Sequence, residues 1–188
     1  ISDHRNDSDA ELAAALVRHA GQLALRMRAE GLDAEVKTSV SDVVTEADRA
    51  AEKFVADVLE ALRGDDGVIG EEGASRASST GRTWVIDPVD GTYNFSQGSD
   101  YFCSALALTD DASAHSPAIG AVHRPATDTT WIAADGVATR DGVELGGLAE
   151  SSLGESAVVT YLHPTFMAND DVREAWLRVI SGAATMRM

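Results

Sequence analysis

Apolar residues recur at helical spacing in two stretches near the start of the chain. Leu12, Leu16, Leu23 and Met27 lie near one helical face; Ser8-Asp9-Ala10-Glu11 reads as a capping box before them, and Gly31 is placed to stop the helix. Phe54, Val55, Val58, Leu59 and Leu62 mark a second helix that Thr45-Glu46-Ala47-Asp48 opens and Gly64 closes. Two short apolar runs follow, one at Val68-Ile69 and one at Trp84-Val85-Ile86; each predicts a buried strand, with a polar loop at 73–83 between them. Further strands are predicted near 102–109, 118–123, 129–134 and 155–161, then a helix near 169–181 capped by Asn169 or Asp170, and a last strand starting at Thr185. No internal repeat or low-complexity segment interrupts this order. The pattern predicts an α+β fold: a helix pair packed on a mostly antiparallel sheet.

Composition narrows the picture. The 188 residues, 44% hydrophobic and 24% charged, suffice for one substantial core and do not suit a disordered chain. No apolar run approaches the ~20 residues of a membrane-crossing helix. No signal-peptide pattern follows Ile1, and the cytoplasm is the expected compartment. The lone Cys103 lies in an apolar strand, where a small buried hydrophobe is expected in preference to a nucleophile. A formal charge of −16 argues against nucleic acid as a partner, because nothing forms a basic stripe. It would also repel a phosphate ester unless bound cations reverse the local sign.

The chemistry lies at the strand ends. Val68-Ile69-Gly70 ends in Glu71-Glu72, and Trp84-Val85-Ile86 ends in Asp87-Pro88-Val89-Asp90-Gly91-Thr92. Pro88 fixes its own φ and lacks an N–H, which puts Asp87 and Asp90 on a stiff turn. Gly91 permits close backbone approach and Thr92 adds a hydroxyl. Hard oxygen ligands beside such a glycine suit Mg²⁺ and a phosphate. The plainer alternative makes the aspartates turn formers, the glutamates a solvated strand end, and Asp48 only a cap partner.

Taken together, Gly70-Glu71-Glu72, Trp84-Val85-Ile86-Asp87-Pro88-Val89-Asp90-Gly91-Thr92 and Asn94-Phe95, with Val43-Val44-Thr45-Glu46-Ala47-Asp48 upstream, closely resemble the inositol monophosphatase family. The resemblance implies a layered helix–sheet sandwich and a lithium-sensitive phosphomonoesterase using two or three Mg²⁺ ions, acting as a homodimer on a small phosphorylated polyol. It implies that Glu71, Asp87 and the Val89 carbonyl hold one ion, and that Asp87 and Asp90 hold a second. Gly91 and Thr92 would contact the phosphate, and Thr92 with Asp48, or else Glu71, would activate water. Lys37, one of only two lysines beside thirteen arginines, matches a family lysine on a loop near the metals.

The family pattern continues to a Trp-Asp motif that supplies another metal ligand. Here Trp84, Trp131 and Trp176 are followed by Val, Ile and Leu. The expectation is therefore that residues 1–188 are the N-terminal and central part of a metal-dependent phosphatase domain, without its C-terminal layered half. Inositol monophosphate is the first substrate expected. Histidinol phosphate, adenosine 3′,5′-bisphosphate and fructose 1,6-bisphosphate are alternatives within the family. A truncated, non-catalytic binding module is the alternative of another class. Tyr93 stands where the family often has a second Thr, which weakens a substrate assignment from that tripeptide.

Overall fold

The first helix, α1 (Asp9–Glu30), starts at Ser8, whose hydroxyl accepts the Glu11 N–H while the Glu11 carboxylate accepts the Ser8 N–H. A second capping box, Thr45 with Asp48, opens α2 (Glu46–Leu62). Both helices begin where the sequence places them. These elements belong to a computed structural model that describes residues 4–31, 34–36, 43–110, 117–147, 149–160 and 164–187. Two compact units divide the chain, residues 1–145 and 146–188.

In the first unit, β1 (Ala34–Val36) and β2 (Val43–Thr45) pair antiparallel just before α2. The main sheet then contains β3 (Gly67–Gly70), β4 (Ser75–Arg76), β5 (Thr83–Asp90), β6 (Cys103–Thr109), β7 (Pro117–Arg124), β8 (Thr129–Ala134), β9 (Val137–Arg140) and β10 (Val143–Glu144). Their order across the sheet is β10-β9-β8-β7-β6-β5-β3-β4, antiparallel throughout except for the parallel pair β3–β5. This is the α+β layering that the patterning predicts.

Helices α1 and α2 lie on the sheet over one core, where Leu12, Leu16, Val55, Leu59, Trp84, Ile86, Leu106 and Leu108 are buried together. Small residues let α1 approach closely. A Cβ at Gly21 would lie 2.5 Å from Pro125 Cγ and 3.2 Å from His123 Cδ2. Trp84 is fully buried, and its indole N–H donates to Asp66 Oδ2 at 3.0 Å, which satisfies the one polar atom it carries inward.

Four expectations need correction. The loop 73–83 contains the short edge strand β4, paired with β3. Ile69 is 49% exposed, so the first apolar run is buried on one face only. Cys103 is half-buried and not a core residue; its Sγ lies 3.6 Å from Asp90 Oδ2. Burial and that carboxylate push the thiol up to about 12, which fits the expectation that it is no nucleophile. Finally, Asp87 and Asp90 do not sit on a turn: β5 runs through both.

The second unit holds β11 (Ala157–Val159), α4 (Pro164–Met167), α5 (Asp170–Ser181) and β12 (Thr185–Arg187), with β11 and β12 parallel. Asn169 caps α5, accepting the Val172 N–H at 3.2 Å.

Candidate active site

The parallel register of β3 and β5 sets Gly70 opposite Ile86. The next residues on the two strands, Glu71 and Asp87, therefore emerge side by side, and the Glu71 N–H donates to Ile86 O at 3.2 Å. Two acidic strand ends that look independent in the sequence are joined by this one pairing.

Asp90 arrives by a different device. Residues three apart on a regular strand face opposite ways. Between β5 and β6, however, Asp87 pairs with Ala105 and Asp90 with Cys103, so three steps on one strand match two on the other. That extra residue is a β-bulge, and it turns Asp90 back toward the face of Asp87. Pro88 has no N–H to give the ladder, which makes it suited to the bulge. Its carbonyl accepts the buried Ser104 hydroxyl at 2.6 Å.

Gly91 follows with φ +95°, a conformation strained for any L side chain, and a Cβ there would also sit tightly against Tyr101 O at 3.2 Å. The chain then enters the one-turn helix α3 (Thr92–Ser96). Phe95 and Phe102 pack edge to face at 4.7 Å, with the Arg28 guanidinium 5.0 Å from the Phe95 ring centre, and this fastens α3 against α1. The Thr92 hydroxyl lies 2.9 Å from both Asp48 Oδ1 and Val89 O, and it can donate its one proton to only one of them at a time.

Asp48 is buried at the start of α2. Its Oδ2 takes the Thr45 N–H at 2.9 Å and the Thr45 hydroxyl, while Oδ1 faces Thr92. The cap partner and the candidate site residue are thus one and the same carboxylate. Burial pushes the Asp48 carboxyl up, against the opposing hydrogen bonds from Thr45 and Thr92.

Asp87 is the electrostatic centre. Burial first, then the charges of Glu71 and Asp90, raise its carboxyl to about 7, while the Val89 N–H opposes the rise. Its Oδ1 is buried with no hydrogen-bond partner among the described residues. A buried, unpaired carboxylate oxygen beside two further carboxylates is an arrangement that a hard cation would relieve. Glu71 and Asp90 are themselves exposed, and among the described residues no three acidic, histidine or cysteine side chains already close on one point. The donor set fits a divalent ion by its oxygen chemistry and charge, and stands apposed but open.

Glu71, Asp87 and Asp90 are therefore neighbours, and Asp48, Thr92 and the Val89 carbonyl form a connected set beside them. Lys37 lies outside the described residues. Glu72 offers its main-chain N–H to Glu52 at 2.7 Å. Glu52 and Ser104 were not singled out from the sequence. Glu52 falls three residues before Val55 and seven before Leu59, on the apolar face of α2, and a charge in that position was the available signal.

The fold class is thus α+β, a layered helix–sheet arrangement whose strand ends bring carboxylates together beside an unpaired buried oxygen. Within it, the chain belongs to the inositol monophosphatase family, whose sequence profile matches residues 5–167. It is 37% identical to a histidinol-phosphatase of Mycobacterium tuberculosis over 90% of this chain and 66% of that protein. It is 29% identical, over 90% of this chain and 66% of the other, to a fructose-1,6-bisphosphatase/inositol-1-monophosphatase of Thermotoga maritima. The chain thus spans slightly less than two thirds of the length of these relatives. Among solved structures, the extragenic suppressor protein suhB of Bartonella henselae shares the fold with a TM-score of 0.82 at 23% identity, covering 94% of this chain and 68% of that one.

Proposed function

We propose that residues 1–188 form the N-terminal and central part of a Mg²⁺-dependent phosphatase that hydrolyses a small phosphate monoester. The observation that carries this reading is the buried, unpartnered Oδ1 of Asp87, with its carboxyl pushed up to about 7 beside Glu71 and Asp90. Family membership supports it. In this reading Glu71, Asp87, Asp90 and the Val89 carbonyl are the metal ligands. When bound, Mg²⁺ supplies the positive charge that a phosphate needs in so acidic a chain, and it acidifies water.

The chain's own residues do the rest. Asp48 Oδ1 accepts the Thr92 proton, which leaves the Thr92 oxygen able to take a hydrogen bond from a water and fix its direction. Asp48 is in turn fixed by Thr45, so whenever Thr92 donates to Asp48 rather than to Val89 O its oxygen has a defined lone-pair direction. Glu71, exposed at the end of β3, is the alternative acceptor of the water's proton. Gly91 and Thr92 present backbone N–H groups to the phosphate, and the positive φ at Gly91 sets their direction.

The motif resemblance favours inositol monophosphate as substrate. The 37% identity to a protein named histidinol-phosphatase favours histidinol phosphate and puts it on an equal footing. The test is phosphate release by the complete gene product from these two esters, fructose 1,6-bisphosphate and adenosine 3′,5′-bisphosphate, with and without Mg²⁺, beside Asp87→Asn. Mg²⁺-dependent turnover of at least one ester, lost in Asp87→Asn, is the expected result. Mg²⁺ binding without turnover of any ester would favour a non-catalytic module.

A further inference from the structure

Glu52 is a buried carboxylate that the chemistry above does not use. It lies on α2 one turn beyond Asp48 and is only 3% exposed. Its Oε2 accepts the Glu72 N–H and its Oε1 the Ala74 N–H, each at 2.7 Å. The turn it grips closes on itself through the Gly70 N–H to Ala74 O at 2.7 Å, and it is tied to β5 by the Glu71 N–H to Ile86 O. Glu71 thus stands at the tip of a turn held from beneath by two charge-assisted hydrogen bonds. A Cβ at Gly70 would fall 2.5 Å from Oε2 and 2.7 Å from Oε1, so the strand end must be glycine for this carboxylate to seat.

The pairing has a geometric consequence. Asp48 and Glu52, four residues apart, share one face of α2. Asp48 fixes Thr92 at the start of α3, and Glu52 fixes the turn that carries Glu71. One rigid helix therefore sets both flanks of the carboxylate cluster. Burying a carboxylate carries a desolvation cost, and here two backbone N–H donors are aimed at its two oxygens. A turn needing nothing more than stability could be held by a neutral acceptor at lower cost.

We propose that Glu52, admitted by Gly70, is a positioning residue that fixes Glu71 against Asp87 and thereby sets the affinity of the cation site. This rests on the metal reading given above. Glu52→Gln keeps the size but leaves one acceptor oxygen, and its amide N–H₂ then opposes the second backbone N–H. Gly70→Ala keeps the charge but displaces the carboxylate.

The measurements are Mg²⁺ titration by calorimetry, and amide hydrogen exchange at Glu72 and Ala74 with Mg²⁺ absent. Both are made on the full chain well below its unfolding temperature. Each variant is expected to bind Mg²⁺ about tenfold or more weakly, the usual cost of disturbing a residue that orients a metal ligand, with faster exchange at Glu72 or Ala74. A purely structural role would lower the unfolding temperature and leave the affinity of the folded protein unchanged. A folded variant with wild-type Mg²⁺ affinity overturns the proposal, and if Glu52→Gln does not fold, Gly70→Ala decides alone. Wild type that binds no Mg²⁺ overturns the metal reading and the clamp with it. Binding that needs Asp87 but ignores Glu52 and Gly70 overturns the clamp only.

Discussion

The Asp87 carboxyl ordinarily titrates near 3.8, and in the folded chain burial, aided by Glu71 and Asp90, moves it to about 7. A folded-state value above the unfolded one contributes stability that is fully present below the unfolded value and is lost as pH rises through the folded one. Without metal, the Asp87 contribution should therefore be lost between about pH 4 and pH 7 as the carboxylate ionises among its neighbours. Asp87→Asn should raise the melting temperature of metal-free protein at pH 8 and change it little at pH 4. If Asp87 is a Mg²⁺ ligand as proposed, proton and metal compete for the same oxygen, and affinity should weaken as pH falls below 7 and level off above it. Calorimetric titrations from pH 5.5 to 8.5 check this, and an affinity independent of pH would remove Asp87 from the ligand set. At this scale the motif residues were legible because their spacing resembles a family, whereas Glu52 was not, since a glutamate in an amphipathic helix ordinarily faces water. Only its phase relative to Val55 and Leu59 shows that it points inward.

At the scale of elements, legibility followed burial in the helix pair and the main sheet. Helices α1 and α2 and strands β6 to β8 carry apolar faces, so their periodicity predicts them. Strands β9 and β10 are largely exposed, and periodicity says nothing about them. Their signal lay in the turns: Asp135-Gly136 and Asp141-Gly142 both have positive φ at both residues, as two-residue hairpin turns between twisted strands require. The bulge in β5 was hidden for another reason. Pro88 reads as a turn former in sequence, and only the pairing with β6 shows the strand continuing past it. Packing between elements yields its own prediction at Gly21, where α1 lies close against Pro125 and His123. Gly21→Val should destabilise the protein by about 1–3 kcal/mol through overpacking, with no helix-propensity gain large enough to reverse it. Urea unfolding measures this, and an unchanged or higher midpoint would mean that the α1–sheet contact is looser than described.

For the whole chain the dominant quantity is the net charge of −16, which repels itself in the compact state and is screened by any salt. Among the described residues no helix is long and apolar enough to cross a membrane. Screening and site binding are separable because they differ in stoichiometry and in the residues they need. Sodium chloride should raise the melting temperature gradually, equally in wild type and in Asp87→Asn. Mg²⁺ at the same ionic strength should add a further increment in wild type only. A ligand at a hundred times its dissociation constant stabilises the folded state by about 2.7 kcal/mol. For a chain of this size that corresponds to a shift of roughly 5–10 °C. Thermal denaturation in matched NaCl and MgCl₂ series reads both contributions from one experiment. If the Mg²⁺ increment persists undiminished in Asp87→Asn, the stabilisation comes from diffuse counterions around an acidic surface. The carboxylates at the ends of β3 and β5 would then not be where the cation binds.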